Sequence, residues 1–252
     1  MSVLTKITSA ANPLVKAVRK AVAKGGLTAS GSMLAESVHL LEEALRSGAE
    51  IEGVIVSESA THRIPSYVDA IVLDDRLFRD IAATETSQGV MTLVKPRHWT
   101  IEDLFPAMAL VVVLDGLQDP GNAGAIVRSA EAFGATGVIF LKTTVSPFNP
   151  KGVRAAGGSL FRLPFLEGML PEEFLEIIKI PLFAAMPRAS LMASAVNLNE
   201  SCAIAIGSEG HGVSVAIAAA AKPIAIPMVG VESLNAAVAA GVLLYEARRQ
   251  RL

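Results

Sequence analysis

Three glycine-containing segments in the second half of the chain carry the residues whose types and spacing could do chemistry. They read DGLQDPGNAGAIVR, IGSEGHG and IPMVGVESLN, and they span Asp115–Arg128, Ile206–Gly212 and Ile226–Asn235. Each follows an apolar run typical of a strand, and in open parallel sheets ligands bind beyond the carboxyl ends of the strands. A single glycine after a strand often serves turn geometry alone. Three such loops in equivalent positions predict one shared pocket for a small molecule.

Several common site types do not fit these residues. A dinucleotide fingerprint needs G-x-G-x-x-G at the start of a helix and an acidic residue about 20 residues later. The first segment offers only Gly121 and Gly124, and no acidic residue ends the GVIFL run that follows. The chain also lacks a Walker A sequence, a G-x-S-x-G elbow and zinc-like spacing of His, Asp and Glu. The single cysteine, Cys202, excludes an internal disulfide and a cysteine-based metal cluster, so we expect no metal.

The elements that must position these loops alternate between strands and helices. ALVVVLDG, GVIFL, PLFAAM, CAIAIG and KPIAIPM predict strands, whereas AIVRSAEAFG, PEEFLEIIK and SLNAAVAAGVLLYEARRQ predict helices. This order favours a parallel sheet with helices on both faces. In the first half, apolar spacing predicts a helix over Ser32–Gly48, and IEGVIVS and VMTLVK predict strands.

Length and composition favour a two-domain α/β protein. The 252 residues fit one large domain or two smaller ones, and the apolar fraction of 52% suffices for a large core. The pattern divides into a small α/β domain over residues 1–95, a proline-containing linker over 96–107 and a second α/β domain over 108–252.

The distribution of charge excludes binding to nucleic acid by bulk charge alone, and it excludes a membrane-spanning helix. A net charge of −2 gives no bulk attraction to nucleic acid or to an anionic membrane, so any such contact must rest on a local patch. The longest stretch without a charged residue covers the thirteen positions from Ser233 to Tyr245, whereas a membrane-spanning helix needs about 17–25 residues. The start of the chain has no apolar run of the signal-peptide kind. We therefore expect a cytoplasmic protein that does not bind membranes.

Together, the three segments resemble the signature motifs of the SpoU/TrmH-type RNA ribose 2′-O-methyltransferases of the SPOUT superfamily. PGNAGAIVRSAEAFGATGVIF, AIAIGSEGHGVS and IPMVGVESLNAAVAAGVLLYEARRQ occur in the family's order, and the likeness covers about residues 108–250. The first hundred residues more loosely resemble the family's RNA-binding domain. The resemblance implies S-adenosylmethionine as methyl donor, an RNA substrate (ribosomal rather than transfer RNA), a homodimer and a carboxyl-terminal trefoil knot, although knots are rare.

The same resemblance implies roles for individual residues. The catalytic positions of the motifs fall on Asn122, Arg128, Glu209, Ser233 and Asn235. The donor-binding positions fall on Gly207, Gly210, Ile226, Met228 and Leu234. Plainer explanations are helix capping for Asn122, Ser233 and Asn235 and a turn position for Glu209.

Two alternatives stay open for Arg128. A ribose 2′-hydroxyl is a poor nucleophile, so methyl transfer needs in-line approach and help with the hydroxyl proton. The family's proposed base falls on Arg128, yet a guanidinium has a pKa above about 12 and resists deprotonation. We favour the alternative, in which Arg128 clamps a neighbouring phosphate and stabilises the developing alkoxide.

The RNA surface is expected near the amino terminus, where residues 1–26 carry five basic residues and no acidic one. Lys16, Arg19, Lys20 and Lys24 form the densest group, and Arg154 is either a further phosphate contact or a surface charge. A non-catalytic RNA-binding or ribosome-assembly factor with the same fold is the first rival function. A nucleotide-dependent oxidoreductase is the second, and the missing dinucleotide fingerprint argues against it.

Overall fold

A computed structural model describes residues 4–252. Its strands are β1 (Leu4–Ile7), β2 (Met33–Glu36), β3 (Ile51–Ser57), β4 (Ala70–Leu73), β5 (Val90–Val94), β6 (Leu110–Asp115), β7 (Gly137–Leu141), β8 (Phe165–Met169), β9 (Leu182–Ala185), β10 (Cys202–Gly207) and β11 (Lys222–Ile224). Its α-helices are α1 (Pro13–Lys24), α2 (Val38–Arg46), α3 (Asp75–Arg79), α4 (Ile101–Leu104), α5 (Pro120–Ala132), α6 (Pro150–Ala156), α7 (Pro171–Ile177), α8 (Val215–Ala220) and α9 (Ala236–Gln250).

The described chain divides into two compact units. The first contains the described residues up to His98 together with Ser146–Arg162, and the second contains Trp99–Val145 and Leu163–Leu252. The segment 146–162, which the sequence pattern places in the second domain, therefore packs with the first unit. Residues 1–3 of the predicted first domain lie outside the described part of the chain.

The first unit is built on a five-stranded mixed sheet in the order β1-β4-β3-β5-β2. β4 pairs in parallel with β1 and β3, whereas β5 pairs antiparallel with β3 and β2. Helix α1 packs Val15, Val18 and Ala21 into a buried cluster against one face of this sheet. Its polar residues are left facing away from that cluster, which is the usual arrangement of an amphipathic surface helix.

The predicted helix over Ser32–Gly48 is wrong in its first third. Residues Met33–Glu36 form β2, all four of them buried, and they pair antiparallel with β5. The helix α2 begins only at Val38, where the Ser37 hydroxyl accepts a 3.0 Å hydrogen bond from the Leu40 N–H. Helical spacing cannot reveal this boundary, because a short strand buried on both faces shows no periodicity of its own.

The second unit contains a six-stranded sheet in the order β11-β9-β10-β6-β7-β8, with every pairing parallel. The predicted strand–helix–strand unit is confirmed as β6, α5 and β7. β10 lies beside β6 in a register that runs from Cys202 opposite Leu110 to Gly207 opposite Asp115. The sheet's four central strands, β9, β10, β6 and β7, are buried, as their apolar runs predict, whereas the edge strands β8 and β11 are partly exposed.

The predicted linker, 96–107, is partly helical. Thr100 and Asp103 form a capping box at the start of α4. Leu104 is fully buried, and Gly137 leaves room for it, since an added Cβ there would lie 2.4 Å from Leu104 Cγ. Among residues 4–252, no helix combines the length and apolarity needed to cross a membrane.

Candidate active site

The carboxyl ends of four parallel strands meet at one edge of the second sheet. Gly207 ends β10 opposite Asp115 of β6, and Ile224 of β11 lies opposite Ala185 of β9. A cavity of about 720 Å³, counted out to its open mouth, lies at this edge.

Six of the ten predicted site residues line this cavity. They are Gly207, Glu209, Ile226, Met228, Ser233 and Leu234. Gly210 lies outside the wall, although it belongs to the same turn as Glu209. The second and third sequence segments thus converge on one cavity.

A chain of side-chain hydrogen bonds joins all three segments. The Asn122 amide nitrogen donates to Glu209 Oε1 at 2.5 Å, and Asn122 Oδ1 accepts from the Asn235 amide nitrogen at 3.1 Å. Asn122 is partly buried, whereas Glu209 and Asn235 are exposed. The polar ends of three predicted catalytic residues therefore lie together beside the cavity.

Helix caps explain why these side chains point towards one another. Asp119, rather than Asn122, caps α5, because its Oδ1 accepts from the Asn122 N–H at 2.7 Å. The Asn122 side chain is thereby left to join the network. Asn235, rather than Ser233, caps α9 through Oδ1, which accepts from the N–H groups of Ala237 and Val238.

The turn that carries Glu209 is tight and folds back on β10. Ser208 and Gly212 exchange two backbone hydrogen bonds, of 3.0 and 2.9 Å. A Cβ added to Gly207 would lie 2.0 Å from the Gly212 carbonyl carbon and 2.2 Å from the Val213 nitrogen. Glycine at position 207 is therefore required by close approach of the backbone.

Arg128 lies on α5 with its side chain exposed. Within residues 4–252 its guanidinium forms no hydrogen bond or ion pair with the protein's own groups. A guanidinium without an internal partner is available to bind a phosphate from solution. In the same part of the chain, no three side chains of His, Cys, Asp or Glu are arranged to hold a metal ion.

The predicted RNA-binding residues belong to the first unit. Lys16, Arg19, Lys20 and Lys24 are all exposed on α1, and their spacing places Lys16, Lys20 and Lys24 along one side of the helix. Arg154 is exposed on α6, which is in the same unit. Gly25, the residue after α1, lies against Asn149, the cap of α6, because an added Cβ would be 2.6 Å from Asn149 Nδ2. The two helices thus meet end to end at this point.

Sequence reasoning missed part of the cavity wall. Ala185, Met186 and Pro187 line the cavity from the end of β9. PLFAAM is predicted as a strand, so its carboxyl end could have been assigned to the site by the same argument as for the other strands. No glycine or polar residue marks it, because its contribution is apolar surface.

Comparison with known proteins identifies the family. A sequence model described as the SpoU rRNA Methylase family matches residues 109–245. The chain belongs to this family. A second model, described as the MRM3-like substrate binding domain, matches residues 12–92.

Two similar methyltransferases match along nearly their whole length. The chain is 32% identical over 253 residues to the 23S rRNA (guanosine(2553)-2′-O)-methyltransferase RlmP of Bacillus subtilis, covering 97% of this chain and 100% of that protein. It is 33% identical over 262 residues to an uncharacterized tRNA/rRNA methyltransferase of Synechocystis, covering 98% and 95%.

Among solved structures, the SpoU methyltransferase AviRb of Streptomyces viridochromogenes, in complex with AdoMet, matches with a TM-score of 0.84 and 26% identity, covering 95% of this chain and 98% of that one. The AdoMet-bound rRNA methyltransferase of Sinorhizobium meliloti matches with a TM-score of 0.82 and 27% identity, covering 99% of both chains. Both matches therefore extend over the two units described here.

Proposed function

We propose that the protein transfers a methyl group from S-adenosylmethionine to a ribose 2′-hydroxyl in ribosomal RNA. The observation that carries the proposal is the hydrogen-bonded chain of Glu209, Asn122 and Asn235 beside the cavity. It joins the three motifs of the SpoU family at one edge of a parallel sheet. The similar RlmP acts on 23S rRNA, which favours ribosomal over transfer RNA.

The lining of the cavity fits S-adenosylmethionine. Ile224, Ile226 and Leu234 offer apolar surface, and the backbone at Gly207 and Ser208 is accessible from the cavity. An adenosine group suits apolar walls with a few backbone partners. When bound, the donor supplies a methyl group on a positively charged sulfur, which is open to attack by an oxygen nucleophile. Gly207, Ile226, Met228 and Leu234 are the residues that we assign to its binding, with Gly210 outside the wall.

The protein's own side chains orient and activate the ribose. Asn122 fixes the Glu209 carboxylate, which can accept a hydrogen bond from the 2′-hydroxyl, and Ser233 lies on the cavity wall nearby. Arg128 binds the adjacent phosphate and stabilises negative charge as it develops on the oxygen. We prefer this role to proton abstraction, because an exposed guanidinium stays protonated.

The RNA contact is assigned to the basic surface of the first unit. Lys16, Arg19, Lys20 and Lys24 present four exposed positive charges, and Arg154 adds one from α6. Such a cluster compensates for the net charge of −2. Because the substrate is ribosomal RNA, the proposed compartment is the cytoplasm.

A homodimer and a trefoil knot complete the proposal. Val238, Val242 and Tyr245 are 52%, 41% and 56% exposed and recur at helical spacing on α9. An apolar stripe of this kind is typical of an interface, and a second copy of the chain would bury it. Ser233 and Leu234 line the same cavity as Glu209, as the knot that the motif resemblance implies requires.

The test is methyl transfer by the purified protein. Tritiated S-adenosylmethionine is incubated with unmodified ribosomal RNA or transfer RNA, and alkali-resistant dinucleotides are counted, because a 2′-O-methyl group blocks alkaline cleavage at that position. We expect incorporation into ribosomal RNA that is lost in Arg128→Ala. RNA binding without incorporation would instead support the ribosome-assembly factor.

A further inference from the structure

Asp115 is a buried carboxylate to which the proposed reaction assigns no role. It ends β6, is 2% exposed and lies opposite Gly207 of β10. Its Oδ2 accepts a 2.6 Å hydrogen bond from the backbone N–H of Ser214. Burial of a carboxylate costs free energy unless its hydrogen bonds offset the loss of water. The partner of the Asp115 carboxylate is Ser214, a loop residue, so this hydrogen bond holds the loop against the strand end.

The loop in question carries Glu209. Its turn, residues 208–212, is closed within itself by the two backbone hydrogen bonds between Ser208 and Gly212. The turn is connected to the sheet through Gly207 on one side and through Val213 and Ser214 on the other. Gly207 has no side chain that could hold the turn in place. The bond to Asp115 therefore fixes the second end of the turn.

The strand end that holds Asp115 is itself anchored. The Gly116 N–H donates to Thr144 Oγ1 at 3.0 Å, and this hydroxyl donates to the Leu114 carbonyl at 2.7 Å. The residues on both sides of Asp115 are thus tied to the segment after β7. A carboxylate on a fixed strand end can hold a loop in place, whereas one on a mobile loop cannot.

We propose that Asp115 is a positioning residue, which holds the 208–212 turn through Ser214 so that Glu209 meets Asn122. The proposal rests on the proposed function, because it assigns a kinetic consequence to the position of Glu209. Asp115 itself does not touch the reactants. Removal of the Asp115 carboxylate leaves the two hydrogen bonds of the turn intact, but the turn as a whole can then move relative to the sheet, with residues 212–213 as the hinge.

Two variants at Ser214 isolate this one hydrogen bond. Ser214 has φ −59°, which proline adopts without strain, so Ser214→Pro removes the N–H donor while keeping the backbone path. Both Ser214→Pro and Ser214→Ala remove the hydroxyl that caps α8. Only the proline variant breaks the bond to Asp115. We expect a roughly 100-fold lower kcat in Ser214→Pro, and a change of less than about threefold in Ser214→Ala.

A double-mutant cycle separates positioning from general stability. Asp115→Ala is expected to lower kcat about as much as Ser214→Pro, and the two together no further, because they remove the same bond. In a Glu209→Ala background, each is expected to lower kcat by less than about threefold. Asp115→Asn keeps an acceptor oxygen and is expected to restore most of the turnover. Losses that multiply in the Glu209→Ala background would overturn the proposal.

Amide hydrogen exchange provides a readout that does not depend on activity. Faster exchange at the amides of residues 208–213 is expected in Asp115→Ala and Ser214→Pro, with wild-type exchange at the same amides in Ser214→Ala. If the wild type transfers no methyl group to RNA, the proposed function fails while this measurement still tests the anchor. Unchanged exchange in both variants would show that Asp115 does not hold the turn.

Discussion

Asn122 and Glu209 are 87 residues apart in the sequence, and a hydrogen bond of 2.5 Å joins the Asn122 amide nitrogen to Glu209 Oε1. The other end of the same amide accepts from Asn235. A carboxamide offers both donors and an acceptor, so one side chain can orient a carboxylate and a second amide at once. Asn122 is therefore the centre of the site, and its own helix is capped by Asp119.

Arg128 should act on the methyl-transfer step and contribute little to donor binding. It lies on α5 and is not among the residues that line the cavity. Loss of a group that stabilises developing charge costs about 100- to 1,000-fold in turnover. We expect this loss of kcat in Arg128→Ala, with donor affinity within a few-fold of wild type by calorimetry.

Arg128→Lys distinguishes between charge and geometry. Lysine keeps the positive charge but lacks the planar fork that binds phosphate through two hydrogen bonds. We expect kcat to stay far below that of the wild type. Near-normal turnover in Arg128→Lys would contradict the clamp and leave simple charge as the explanation, whereas normal methylation by Arg128→Ala would remove Arg128 from the catalytic residues.

Gly207 should tolerate no side chain. Even a single Cβ would lie 2.0 Å from the Gly212 carbonyl carbon, so the turn must move and the cavity wall with it. We expect donor affinity to fall at least tenfold in Gly207→Ala, by about 1.4 kcal/mol or more, when measured by calorimetry.

Gly210→Ala is the informative companion to Gly207→Ala. The sequence pattern places Gly210 among the donor-binding residues, whereas in the structure an added Cβ would meet nothing within 4 Å. We expect the affinity of Gly210→Ala for the methyl donor to be close to that of the wild type. Equal losses in the two variants would show that flexibility of the turn, rather than close backbone approach at Gly207, controls binding.

The sequence predicts the second unit better than the first for a physical reason. Its strands are continuous apolar runs separated by glycine-containing loops, and a parallel sheet puts those loops at one edge. The convergence of Gly207, Ile226 and Leu234 on one cavity follows from that geometry. The hydrogen bond between Asn122 and Glu209 cannot be predicted from that geometry. The direction of the Asn122 side chain depends on which residue caps α5, and this residue is Asp119.

The first unit is harder to predict because its elements are short. Residues Met33–Glu36 carry the helical spacing of the segment that follows, yet they form β2. Strand pairing with β5 overrides that local pattern. The segment 146–162 gives no sequence signal of its partner. It packs with the first unit through tertiary contacts, among them the ion pair between Arg162 and Glu43.

The basic cluster on α1 should determine the salt dependence of RNA binding. For every RNA phosphate that the protein no longer neutralises, the slope of log affinity against log salt is expected to become shallower by about one unit or slightly less. Replacing Lys16 and Lys20 with Ala should therefore weaken RNA binding and reduce that slope, as measured by filter binding at several salt concentrations.

A charge-matched control for the α1 variant comes from the second unit. Lys179 precedes β9, and Lys222 is the first residue of β11. Both side chains are exposed and lie at the amino edge of the sheet, opposite the cavity. Their replacement with Ala changes net charge without touching α1. An equal change in slope in both variants would show that bulk charge, rather than the cluster, governs binding.

Thr92 should be replaceable with a gain in stability. It is fully buried in β5, and within residues 4–252 its hydroxyl has no hydrogen-bond partner. An unsatisfied buried hydroxyl costs about 1–3 kcal/mol, so Thr92→Val should stabilise the first unit by about 1 kcal/mol. Thr28→Val is the matched control. Its buried hydroxyl accepts from the Ser32 N–H, so chemical denaturation should show a loss of stability.

Glu43 should make the stability of the first unit sensitive to acid. Its side chain is 4% exposed and forms ion pairs with Arg46 and Arg162. The hydrogen bond from Arg46 and, with a smaller effect, the one from Arg162 lower its pKa to about 2, against the opposing effect of burial. A depressed pKa in the folded state contributes stability above the unfolded pKa, and this contribution is lost as the pH falls from about 4.5 towards 2.

Comparison of the wild type with Glu43→Gln isolates this contribution. Glutamine keeps the shape but carries no charge, so the variant should be less stable at pH 7 by about 1–3 kcal/mol. The difference in unfolding free energy should shrink between pH 4.5 and pH 2, because the wild-type carboxylate becomes neutral as well. Urea denaturation at pH 7, 4 and 2.5 measures it, with circular dichroism as the signal. A difference that stays constant over this range would mean that the negative charge of Glu43 does not contribute to the stability of the first unit.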